Sequence, residues 1–273
     1  MATLQELKKK LKAVRSTEKM TKAMKTVSST KYSALNRFFG EYSLYSEKCF
    51  ELYEKFSDEI NALFPAAAEN APAALFVFTS NKGMCGAFNT ETLNFAVSFL
   101  SELPRDTIVF PCSKKSLSFF TEKKINTGSC FIFSEIPDEK EVSDFLDELL
   151  KMRKEGKIGT VYAVFPRYKT VLQQQPEARE LFAARIAGEA EKENEPLFIP
   201  DKKTVMESIS KKVLFASVFG IIAETSLGAQ AATLTAMRSA YDTASAYAAQ
   251  LEIQINRKRQ SEVTADVLET SRS

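Results

Sequence analysis

All nine prolines of this 273-residue chain fall between residues 65 and 200. A proline inside a helix removes a backbone hydrogen bond and clashes with the preceding turn, at a cost of about 3 kcal/mol. The two proline-free ends are therefore where long helices can run. The first extends from residue 2 to about residue 63 and holds a single glycine, Gly40; the second begins after Pro200 and continues to Ser273.

Apolar residues at both ends repeat at helical spacing. Leu4, Leu7, Leu11 and Val14 step by three and four, and Leu35, Phe38, Tyr42, Tyr45, Cys49, Leu52 and Phe56 take up the same rhythm. A mean period of about 3.5 is a coiled-coil seam. Between these runs the stripe is expected to shift and soften, with Met20, Met24 and Val27 among Thr21, Thr26, Ser28, Ser29 and Thr30. At the other end, Asp201 is a plausible helix N-cap, and Leu234, Met237, Tyr241, Ala244, Ala248, Leu251 and Ile255 step by three and four. Gly220 and Gly228 each cost roughly 1 kcal/mol relative to alanine and predict some bending. Helices of these lengths would reach about 90 Å and about 105 Å at ~1.5 Å per residue. Neither stripe is wide enough for a globular core, so the economical arrangement is an antiparallel pair. The seam leucines, valines and phenylalanines, at about 1.5–3 kcal/mol each, offset the ordering of the chain.

The middle, residues 73–200, changes character. Residues 73–80, 107–112, 129–133 and 160–165 are short apolar runs, and Glu141 to Lys154 places Val142, Phe145, Leu146, Leu149 and Leu150 on one helical face. Short apolar strands alternating with helices predict a mostly parallel α/β sheet. The expected organisation is an N-terminal coiled-coil helix over 1–64, an α/β domain over 73–200 and a C-terminal coiled-coil helix over 201–273.

Several chemistries are excluded. The chain has no histidine, which removes histidine metal sites, Ser-His-Asp triads and Cys-His dyads together. The four cysteines, Cys49, Cys85, Cys112 and Cys130, lack CxxC spacing and read as packed cytosolic thiols. A net charge of +2 argues against bulk nucleic-acid binding. No stretch approaches ~18 uninterrupted apolar residues, so no transmembrane helix is expected. The N-terminus lacks the apolar core of a secretory signal and shows no cleavable transit segment.

The loop Ser80-Asn81-Lys82-Gly83-Met84-Cys85-Gly86-Ala87-Phe88-Asn89 follows the first strand. A glycine loop there can hold phosphate, but the Walker and dinucleotide patterns are absent. A tight strand-to-helix turn is the better reading, and Cys85 has no histidine to activate it. Glu189, Glu191, Glu193 and Glu195 read as a solvated stretch. Through residue 40, ten basic side chains face only Glu6 and Glu18, a local charge of +8. Such a tract reads equally as a solvated helix face or as a contact surface; without interleaved exposed aromatics or a groove-reading motif, the contact reading favours an acidic protein partner over nucleic acid.

Three motifs resemble one family. The run from Arg15 to Lys31, containing Thr17-Glu18-Lys19-Met20-Thr21-Lys22-Ala23-Met24, is similar to the T-x-K-[IM]-T-K-A-M helix of the gamma subunit of F-type ATP synthase. The Ser80–Asn89 loop is similar to its S-D-x-G-L-C-G-x-[FY]-N turn, and Asn256-Arg257-Lys258-Arg259-Gln260-Ser261-Glu262-Val263-Thr264 to its N-x-x-R-Q-x-x-I-T signature. The order is preserved over essentially the whole chain. Ala229 and Thr233 stand where the family commonly carries Glu and Arg, and the tail from Leu268 to Ser273 is polar where the family's is apolar.

The resemblance implies α/β with long helices: an antiparallel two-helix coiled coil from the N- and C-terminal segments plus an inserted Rossmann-like α/β domain. It implies a non-catalytic rotor shaft that transmits torque between the membrane c-ring and the catalytic beta subunits, with no cofactor of its own. The partners implied are the alpha, beta, epsilon and delta subunits and the c-ring, with peripheral association at the cytoplasmic face of a bacterial membrane. Contacts with alpha and beta map onto Lys19, Lys22, Met24, Lys25, Arg259, Gln260 and Thr264. Ser28, Ser29 and Thr30 are expected to give a smooth bearing surface. The alternative is a nucleotide-binding α/β protein with coiled-coil arms.

Overall fold

A computed structural model describes residues 3–63, 71–181 and 198–270. The elements are α1 (Leu4–Lys55), α2 (Ser57–Leu63), β1 (Ala74–Val77), α3 (Phe88–Leu100), β2 (Ile108–Pro111), α4 (Lys114–Glu122), α5 (Glu139–Lys154), β3 (Val161–Thr170), β4 (Gln173–Glu180) and α6 (Lys202–Thr270). The glutamates at 189, 191, 193 and 195 lie outside the described residues. The chain forms two compact units, one of residues 1–30 and 233–273, the other of residues 31–232.

In the first unit the two chain ends pair antiparallel: Arg15 meets Glu252 and Lys25 meets Tyr241. The seam on α1 keeps a strict seven-residue repeat. Leu7, Thr21 and Ser28 are buried, and Leu4, Leu11, Val14, Glu18 and Lys25 are half-buried. The expected softening is thus a change of chemistry without a change of register. Met20 and Val27 fall off the seam and are 52% and 55% exposed. Across it lie Met237, Ala244, Ala248 and Leu251, all buried, as the stripe predicts. Small residues here allow close helix approach, and the Thr21 hydroxyl is satisfied by donating to the Thr17 carbonyl at 3.0 Å.

The second unit is built on a four-stranded sheet of order β2-β1-β3-β4. β1 pairs parallel with β2 and β3, whereas β3 and β4 are antiparallel. β1 is buried on both faces, which is why it reads as an unbroken apolar run. Leu75 and Val77 pack with Leu93, Val109 and Phe120 on the α3–α4 side. Ala74 and Phe76 pack with Phe145 and Leu149 of α5 and with Leu214, Val218 and Phe219 of α6. Phe76 stacks on Phe110 at 4.7 Å and meets Phe145 edge-on at 5.4 Å.

Two expectations about the sheet are corrected. Residues 129–133 do not form a strand. Their segment runs along β2, with Gly128 N–H donating to the Val109 carbonyl and Phe131 N–H to the Pro111 carbonyl, both at 2.9 Å. Pro111 has no N–H to return, so the ladder stops. Conversely, the polar segment Gln173–Glu180 is a strand, held antiparallel on β3 and tied across by Arg167 to Glu177 at 2.9 Å. Within α1, Leu35, Tyr42 and Cys49 carry the seam into this unit, but Tyr45 and Leu52, counted in the same rhythm, are 43% and 42% exposed.

Helix ends follow their chemistry. Asp201 caps α6 as expected, accepting from Thr204 N–H at 2.9 Å and from its hydroxyl at 2.8 Å. Asp138 and Ser113 cap α5 and α4. α6 runs unbroken through Gly220 and Gly228. At Gly228 a Cβ would lie 3.0 Å from the Phe88 ring and 3.3 Å from Gln174, so the glycine admits a close approach. One stretch of α6 is long and apolar enough to cross a bilayer, which a count of uninterrupted apolar residues missed. That stretch is 67% buried within the fold, so its apolarity is spent on the core. Cys49, Cys85 and Cys112 are buried and Cys130 is half-buried.

Candidate partner-binding surface

All seven residues expected to contact alpha and beta belong to the first unit. Lys19 and Lys22 are exposed on α1, Met24 and Lys25 are half-buried beside the seam, and Arg259, Gln260 and Thr264 are exposed on α6. They form two groups. The register that sets Arg15 opposite Glu252 and Lys25 opposite Tyr241 places Arg259 across from the first turns of α1. That is about 16 Å along the axis from Lys19, at ~1.5 Å per residue.

The electrostatics divide the basic tract. Arg15 donates to Glu18 and to Glu252, each at 2.7 Å. The hydrogen bond from Arg15 holds the Glu18 carboxyl below its usual range against the opposing effect of burial. Lys25 lies over the Tyr241 ring, 5.1 Å from its centre. Lys31, in the second unit, pairs with Glu135. These cations are used inside the fold, so the +8 read from sequence overstates what is free. Among the described residues, neither Lys19 nor Lys22 forms an ion pair. At the other group the Thr264 hydroxyl donates to the Gln260 carbonyl at 2.8 Å, a local bond that leaves the Arg259 and Gln260 side chains exposed.

Sequence reasoning missed the apolar part of this surface. Beside Met20 and Val27, Tyr247, Ile253, Val263, Val267 and Leu268 are 45–61% exposed. Continuing the seven-residue repeat straight through Thr21 and Ser28 would have found the first two. Ser28 itself is 5% exposed and belongs to the seam, so of the expected bearing residues only Ser29 and Thr30 face outward.

In the second unit the Ser80–Asn89 loop is closed on itself. Asn89 Oδ1 accepts from Ser80 N–H at 2.9 Å, and its Nδ2 donates to the Lys82 carbonyl at 3.2 Å. Asn81 donates to the Phe133 carbonyl at 2.9 Å and accepts from Lys114 N–H at 3.0 Å. Met84 and Gly86 both adopt positive φ, 66° and 60°, the conformation of a tight turn. Lys82 and Lys31 both bind Glu135, and these hydrogen bonds hold its carboxyl below the usual range. The loop's polar atoms and its lysine are thus engaged in building the turn. Cys85 is packed against Phe88 and Ala229, so the alanine departing from the family pattern lies in an apolar contact.

The ATP synthase family model matches residues 3–271. The chain belongs to the ATP synthase gamma-chain family. The gamma chain of Rubrobacter xylanophilus is 24% identical, over 98% of this chain and 96% of its own. That of Pelotomaculum thermopropionicum is 26% identical, over 98% and 97%. The fold is also that of solved central-stalk chains. A chain of the Euglena gracilis mitochondrial ATP synthase rotor superposes with a TM-score of 0.66 at 14% identity, covering 95% of this chain and 98% of that one. A second, from the OSCP/F1/c-ring assembly of the same organism, gives 0.67 at 15%, covering 98% and 92%. As a gamma chain, the protein is a non-catalytic subunit of the ATP synthase complex, a rotor shaft that transmits torque, and it associates with the membrane peripherally through that complex.

Proposed function

We propose that this gamma chain couples ion translocation to ATP synthesis or hydrolysis through two contact belts on its first unit. In the first belt Lys19 and Lys22 meet acidic surfaces of the alpha and beta subunits, with the half-buried Met24 and Lys25 contacting the same subunits beside them, Lys25 from its place over Tyr241; Arg259, Gln260 and Thr264 form the second belt. Segment 1–64 and segment 201–273 serve as the shaft and 73–200 as the inserted domain, with the c-ring, epsilon and delta as further partners at the cytoplasmic face of a bacterial membrane. The observation that carries the reading is that Lys19 and Lys22 are exposed without an ion pair while Arg15 and Lys31 are committed internally. A shaft must break each bearing contact on every turn. Exposed ion pairs, at about 0–1 kcal/mol each, exchange readily, and arginine and glutamine add directional donors.

The test is reconstitution with alpha and beta, with ATPase measured in the presence and absence of this chain. The chain should stimulate turnover, and Arg259→Ala with Gln260→Ala should lower turnover or assembly. Unchanged ATPase and synthesis rates in a fully assembled double variant would remove the second belt.

A further inference from the structure

The second unit carries a groove bounded by α1, α5 and α6, of about 300 Å³. Its apolar lining is Leu146 and Leu150, one turn apart on α5, with Leu214 and Phe215 of α6, and the more exposed Tyr45 of α1 completes it. Ser143 and Asp147 stand on one rim, and Lys211 and Lys212 on the other. Both lysines are exposed, and among the described residues neither has an acidic partner. Among the lining residues two cations face one carboxylate, Asp147, while Glu139 acts on Tyr45 at the α1 wall, so the positive charge is concentrated on the α6 side.

We propose that this groove binds a small amphipathic carboxylate, its alkyl or aryl body on the leucine–phenylalanine lining and its head group at Lys211 and Lys212. The volume lies at the small end of the roughly 300–1,000 Å³ typical of small-molecule sites, and an apolar lining with a few convergent polar groups is their usual chemistry. A peptide helix fits less well. α5 offers it only Leu146 and Leu150 before the polar Ser143 and Asp147 intervene, whereas groove-bound helices need apolar anchors over several turns. None of these residues belongs to the contacts assigned above, and the proposal does not rest on them.

Titration calorimetry of the full chain with decanoate, and separately with 1-decanol, tests the site. Decanoate should bind saturably at one site and about tenfold more tightly than decanol, the size expected of two exposed charge contacts. Lys211→Gln with Lys212→Gln should erase that preference. Ser143→Leu, at an exposed position, should fill the groove and abolish binding while circular dichroism shows an unchanged fold. Absence of saturable decanoate binding, equal affinity for decanol, or a preference that survives the double lysine substitution would each overturn the proposal.

Discussion

Arg15 and Glu252 join the two ends of the chain: Nη2 of the arginine donates to Oε1 of the glutamate at 2.7 Å, across 237 residues of sequence. The other arm of the same guanidinium holds Glu18, also at 2.7 Å. The seam beside them holds Leu11 and Val14 of α1 and the buried Ala248 and Leu251 of α6, and further along α1 it turns polar at Thr21 and Ser28. The two directional charge contacts of Arg15 therefore add to this apolar packing in fixing the register, and toward Thr21 and Ser28 the large apolar residues thin out.

A double-mutant cycle checks this. Arg15→Ala and Glu252→Ala should each loosen the pairing of the first unit, seen as faster proteolysis near both termini. The double variant should be no worse than Arg15→Ala alone. Wild type should also lose resistance as salt is raised, and Arg15→Ala should not, because screening weakens exposed charge pairs. Strictly additive effects would mean that the two residues act separately.

Met20→Ser with Val27→Ser separates surface from seam. Both side chains are more than half exposed, so the melting of the isolated chain should move by no more than about 0.5 kcal/mol. Assembly with alpha and beta should weaken, because these residues lie on the same unit as the proposed belts. The opposite pattern, a destabilised chain that assembles normally, would return them to the seam. Ser28→Leu should do what the surface pair does not. A large side chain in the closely approached seam costs about 1–3 kcal/mol by overpacking.

Much of this was legible in the sequence, for identifiable reasons. The coiled-coil seam, the Asp201 cap and the buried strands β1 and β3 follow from periodicity and capping chemistry that act locally. The fate of residues 129–133 and of β4 did not, because both depend on neighbours distant in sequence. Phe131 and Phe133 look like strand residues, but Pro111 opposite them cannot complete the ladder. Gln173–Glu180 has no apolar run and becomes a strand only through pairing with β3. The contact residues on the first unit were reached through a motif. Which of the ten N-terminal cations remain free depended on Glu252 and Glu135, which no local pattern links to Arg15 and Lys31.

The close approach of residues 127–131 to β2 predicts a sharp sensitivity at one glycine. A Cβ at Gly128 would lie 2.4 Å from Cε1 of Phe110, whose ring is 4% exposed and stacked on Phe76. Neither ring has room to yield. Gly128→Ala should cost about 1–3 kcal/mol, measured by urea unfolding. Gly83→Ala is the control. Its nearest neighbour is the flexible end of Lys115 at 3.9 Å, and its effect should stay within about 0.5 kcal/mol. Equal effects at the two sites would contradict the packing described for the edge of the sheet.

Glu224 of α6 gives the second unit a pH dependence of definite sign. Its carboxylate accepts the Tyr168 N–H at 3.2 Å. Burial raises its pKa, and the Tyr168 hydrogen bond with the nearby Arg179 and Arg167 only partly offsets this, while Glu177 adds to the rise. A folded-state pKa above the unfolded value of about 4.3 means that the native chain holds this proton more tightly than the unfolded chain. Unfolding releases it, so this group's contribution to stability falls as pH rises from about 4.3 through the raised folded value. Glu224→Gln keeps an acceptor for Tyr168 and removes the charge. Its thermal midpoint should match wild type at pH 4, where Glu224 is protonated, and exceed it at pH 8. A wild type more stable than the variant at pH 8 would mean that attraction to Arg167 and Arg179 outweighs the cost of burying the carboxylate.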